Sequence, residues 1–151
     1  MKTQILTIAV AALISGNVWA GPVSIWEGSG SVYSPSGKIV DTYRIKVVNS
    51  ETSTNVIQSE TTTTMSDGSQ KTISQTIQVE GGRWTVESNL GKGGGGCYGV
   101  DLCENYISGD DGKAYATTIV QDSPNNRRNI TFVLENGKAT KVLKDCITKV
   151  L

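Results

Sequence analysis

Four carboxylates, Asp101, Glu104, Asp110 and Asp111, fall within one short stretch of the chain. Oxygen ligands on a loop suit Ca²⁺. Their spacing matches no calcium loop, and Asp-Asp-Gly is also ordinary turn chemistry. Paired carboxylates can act as acid and base in hydrolysis, yet none of the 14 acids sits in a distinctive motif. The chain has no histidine. That excludes Ser-His-Asp and Cys-His catalysis, His-ligated zinc and a histidine pH switch. The run Gly91-Lys92-Gly93-Gly94-Gly95-Gly96 matches G-x-G-x-x-G in letters. A dinucleotide fingerprint needs a helix directly after it, and no helical pattern follows. The run reads instead as a flexible loop inside a domain. No catalytic residue, metal ligand or cofactor is assigned, and the chain is not expected to be an enzyme.

Cys97, Cys103 and Cys146 are an odd number, so one bond and one free thiol is the simplest account. A Cys97–Cys103 bond ties a short loop. A Cys103–Cys146 bond would clip the C-terminal segment onto the body and close a longer one. The short tie is preferred and the long one stays open. Cys146 lacks a histidine base, so a buried or bonded role is expected for it. Trp26 and Trp84, with Tyr43, are the candidates to line a ligand cavity, the alternative being that they plug a core. Tyr98, Tyr106 and Asp101, around the cysteine loop, are the candidates for a contact with another protein. Asn129-Ile130-Thr131 is a glycosylation sequon.

These residues need a scaffold, and composition indicates which. From residue 21 on the chain holds 13 Val, 10 Ile and 15 Thr against 5 Leu and 3 Ala. β-Branched residues favour a pleated sheet over a helix. The first 20 residues read as a secretory signal: Lys2, an apolar run from Ile5 to Ile14, and small residues Val18 and Ala20 before a cut after Ala20. Residues 21–151 then form one domain, destined for a periplasm or the cell exterior, where disulfides persist. No later segment is apolar enough for a transmembrane anchor. The domain carries 13 Lys and Arg against 14 Asp and Glu, a balance that argues against nucleic acid as a partner.

Turn signals recur along this domain, from Ser34-Pro35-Ser36-Gly37 to Asn136-Gly137, with short strands between them. Alternation places Ile73, Ile77 and Val79 on one face, Trp84 and Val86 on one face, and Ile130, Phe132 and Leu134 on one face. Thr54 to Thr64 is mostly polar on both parities and reads as an edge strand or wet rim, with Thr61 to Thr64 in water. Asn136-Gly137 is a strong hairpin signal, so a strand is expected from near Lys138. A short C-terminal helix from about Val142 is the alternative, because Val142, Leu143, Cys146, Ile147 and Val150 also fall at helical spacing. The expected architecture is all-β: a single antiparallel up-and-down β-barrel of about eight or nine strands.

Trp26-Glu27-Gly28-Ser29-Gly30, an early tryptophan beside glycines at the head of such strands, resembles the opening of lipocalin-like (calycin) barrels. That resemblance implies a barrel with a small-ligand cavity. Ser29-Gly30-Ser31-Val32-Tyr33 resembles the S-G-x-x-Y motif of periplasmic C-type lysozyme inhibitors. That one implies a loop that enters a lysozyme active site. The expected function is non-enzymatic binding of a small apolar ligand. The alternative is interaction with an extracytoplasmic protein, as an inhibitor or envelope component.

Overall fold

The computed structural model describes residues 23–151. The proposed signal segment and its cleavage point lie outside the described residues. Ten strands follow one another: β1 (Val23–Tyr33), β2 (Ile39–Ser53), β3 (Val56–Met65), β4 (Gln70–Glu80), β5 (Arg83–Ser88), β6 (Gly91–Tyr98), β7 (Leu102–Gly109), β8 (Lys113–Ser123), β9 (Asn126–Glu135) and β10 (Lys138–Lys149). Each pairs antiparallel with the next, and β1 closes on β10, with Gly28 opposite Ile147 and Gly30 opposite Asp145. The up-and-down barrel is as expected, with ten strands rather than eight or nine. The C-terminal segment is a strand. Asn136 and Gly137 both take positive φ, 51° and 75°, which a two-residue hairpin needs to match strand twist.

The period of two places Trp26, Tyr43, Ile45, Val47, Ile57, Ile73, Ile77, Trp84, Val86, Ile107, Tyr115, Leu143 and Ile147 inside. Three expectations are corrected. Gly91 to Gly96 is not a loop but most of β6. A Cβ on Gly93 would lie 1.8 Å from the Tyr106 carbonyl oxygen, and one on Gly95 2.1 Å from that of Glu104. At Gly93 and Gly95 the β6 backbone approaches β7 so closely that no side chain fits, as happens where a barrel bends sharply. Second, β3 is no edge: closure leaves none, and Ser59, Thr61 and Thr63 are buried while Thr62 and Thr64 face outward. Third, β9 faces the other way. Asn129, Thr131 and Val133 point in, and Phe132 is 41 % exposed. The polar pair Thr117 and Thr131 shares a hydrogen bond of 2.9 Å inside the wall. This polar interior decides the facing of β9 against its hydrophobic count.

Candidate functional site

The interior is where the unusual chemistry collects. Register places Asn49 (β2) opposite Ser59 (β3), and Ser59 opposite Gln75 (β4). All three are buried. Gln75 is 2 % exposed, and neither end of its carboxamide meets a hydrogen-bond partner among the described residues. The Ser59 hydroxyl and the Asn49 oxygen are likewise without one, though Asn49 Nδ2 donates to Ser24 at 3.4 Å. Rows of β-branched residues bound this polar stripe on both sides. Ile57, Ile77 and Val86 lie in register along one edge. Val47, Thr61 and Ile73 lie along the other. A buried amide lacking a partner costs roughly 1–3 kcal/mol, so native interiors keep few of them.

A second polar group crosses the seam between first and last strands. Tyr43 on β2 reaches over Gly30 on β1 and donates to Asp145 Oδ2 on β10 at 2.9 Å. Asn129 Nδ2 donates to Asp145 Oδ1 at 2.7 Å. A Cβ on Gly30 would sit 2.4 Å from the Tyr43 ring, so the glycine makes room for the crossing. Burial pushes the Asp145 carboxyl up to about 6, against the pull of its two hydrogen bonds. On the opposite side of the ten-strand ring the device recurs. Trp84 on β5 lies over Gly95 on β6 and donates to Asn105 Oδ1 on β7 at 2.9 Å. Between β9 and β1, Arg127 lays its guanidinium 4.0 Å over the Trp26 ring and donates to Gln121 at 2.6 Å. Burial draws its pKa down to about 10.

The three ligand-lining candidates, Trp26, Trp84 and Tyr43, therefore all face the interior, though on three different strands. Tyr98 and Tyr106 are exposed, at 68 % and 51 %. They border an outer groove over β6 together with Phe132. Asp101 is exposed in the turn before β7. Cys97 and Cys103 are directly opposite in β6 and β7 and form the disulfide, which suits an oxidising compartment. Cys146 is free and exposed, not buried or bonded, because β10 alternation points it outward between inward Asp145 and Ile147. Ser29 to Tyr33 is no loop: it lies in β1, paired on both sides. Among the described residues no group of three or more His, Cys, Asp or Glu side chains is placed to hold a metal ion. No helix among them is long and apolar enough to cross a membrane.

Sequence reasoning missed Asn49, Ser59, Gln75, Asn129 and Asp145. The signal existed for two of them. Gln75 sits at the parity of Ile73 and Ile77, and Asp145 at that of Leu143 and Ile147.

No protein-family model matches the chain, and no curated protein does. Among solved structures the chain is similar to an S-type phycobiliprotein lyase from Guillardia theta. Identity is 8 %, with 83 % of this chain and 85 % of that one covered, at a TM-score of 0.62. It is also similar to a de novo designed fluorescence-activating β-barrel, at 14 % identity, 82 % and 90 % coverage and a TM-score of 0.44. What the chain shares with the lyase is the fold, a closed antiparallel up-and-down β-barrel.

Proposed function

We propose that this is an exported, non-enzymatic binding protein whose barrel interior takes one small molecule, mostly apolar and carrying a hydrogen-bonding group. The observation that carries this reading is Gln75, a buried carboxamide with both ends unpartnered among the described residues. A carboxamide pairs two-fold with a group offering one donor and one acceptor, such as an amide, a lactam or a protonated carboxylic acid. Ser59 and Asn49 extend the same stripe, and the flanking isoleucines and valines suit an apolar body. A ring of ten strands encloses more space than the eight-stranded barrels that hold one small ligand. The ligand is thus amphipathic rather than purely apolar.

Trp26 and Trp84 provide the readout. Titration of lactams, amides and fatty acids should change their fluorescence, and Gln75→Leu should weaken the best binder by about 5- to 150-fold, the effect of roughly 1–3 kcal/mol. Equal binding by Gln75→Leu would overturn the assignment.

A second reading has its own observation. Tyr98, Tyr106 and Phe132 expose aromatic surface around one outer groove, and tyrosine is enriched where proteins meet. An extracytoplasmic protein seated there should be lost from pull-downs by Tyr106→Ala and kept by Gln75→Leu.

A further inference from the structure

A second outer groove lies over the β1 seam, with a volume of about 880 Å³. Its floor is low because β1 there is Ser29, Gly30 and Ser31. Arg44 rises on one side, in register with Ser29. Lys144 rises on the other, in register with Ser31. The two flanking strands are two strand spacings apart, about 10 Å. Thr42 and Thr64 add hydroxyls on the Arg44 side. Lys144 Nζ stands 5.2 Å from the Tyr33 ring.

Among the described residues no carboxylate lies within ion-pair distance of Arg44 or Lys144. Arg128, also in the lining, is held at 2.7 Å by Asp122. Asp145 lines the groove from within the wall, but its carboxyl is engaged on the inside by Tyr43 and Asn129. Asp41, next to Thr42 on β2, already accepts from Ser66 and from the Thr42 N–H. The groove therefore presents two cations with no ion-pair partner among the described residues, on a chain of formal net charge zero.

We propose that this groove binds a soluble phosphate monoester. Such a group carries nearly two negative charges at neutral pH and three acceptor oxygens, matching one guanidinium, one ammonium and the Ser29 and Ser31 hydroxyls of β1 between them. The guanidinium fork suits a phosphoryl group, and the strand pairing sets Lys144 as a second point charge across the floor. A single carboxylate would leave one cation unmatched. This site is outside the barrel wall and independent of the interior one.

Cys146 supplies a reporter, since it is exposed, lines the groove and sits in register with Ser29. Glucose 6-phosphate should bind by calorimetry and slow alkylation of Cys146 by iodoacetamide, while glucose should do neither. The double variant Arg44→Glu with Lys144→Glu should weaken binding at least 10-fold and abolish protection, with the barrel's circular dichroism unchanged. Arg83→Glu with Lys92→Glu makes the same charge change on the far side of the barrel and should leave both readouts intact. The proposal is overturned if glucose 6-phosphate neither binds nor protects. It is also overturned if the far-side variant loses as much as the groove variant. Binding confined to vesicles containing phosphatidylglycerol, with no response to the soluble monoester, would assign the groove to a membrane surface and overturn it as well.

Discussion

Tyr43 and Asp145 are joined by a hydrogen bond of 2.9 Å that passes over Gly30 and ties the second strand to the last. The bond spans the closure of the barrel, where β1 alone separates the two partners. Removing its donor leaves a buried carboxylate with Asn129 as its remaining donor among the hydrogen bonds described above. Tyr43→Phe should destabilise the protein at pH 7 by about 2 kcal/mol, the usual loss for a hydrogen bond to a charged group, measured by urea unfolding.

The same carboxyl sets a pH dependence. Its folded pKa is raised from 3.8 to about 6, chiefly by burial. A raised acid binds more protons in the folded than in the unfolded state between those values. The contribution of Asp145 to stability is therefore greatest below the unfolded pKa and declines as pH rises through about 6. The full span is about 3 kcal/mol. Asp145→Asn should flatten this decline between pH 4 and 7 and match or exceed the parent at pH 7. A parent protein whose unfolding free energy rises across that window would contradict the assignment.

Glycines in β6 differ in what they tolerate. Gly93→Ala drives a Cβ into the Tyr106 carbonyl and should abolish the folded barrel or cost at least about 3 kcal/mol. Gly96→Ala faces outward, with its nearest neighbour, the Arg83 side chain, at 3.4 Å. It should change stability by no more than about 0.5 kcal/mol. Thermal melts of the two variants make the comparison.

The disulfide is a clamp on a pairing that the strands already make. Replacing both Cys97 and Cys103 with Ser should lower stability by about 2 kcal/mol, the loop-entropy value for so short a ring. The β-sheet circular dichroism should persist. Reduction of the parent with dithiothreitol should give the same shift.

Most of the architecture was legible in the residues. Alternation in Lys71 to Glu80 and in Arg83 to Glu87 gave the inward face correctly, and Asn136-Gly137 gave the last hairpin. What misled was the assumption that inward means apolar. Phe132 was assigned to the core by hydrophobicity, yet Asn129 and Thr131 take the inside because Asp145 and Thr117 wait there as partners. Those partners are distant in sequence, so no local pattern shows them. The glycine strand was illegible for a related reason: its constraint is the β7 backbone, which composition does not reveal. Gln75 was legible, as a polar residue between two inward isoleucines, but its significance appears only when Ser59 and Asn49 come into register beside it.

Native mass spectrometry of the protein purified from its own host tests the interior site most directly. The account predicts a bound small molecule of defined mass on the parent chain, absent from Gln75→Leu prepared in the same way. A parent chain that flies at its bare mass, or an adduct retained undiminished by Gln75→Leu, would contradict it.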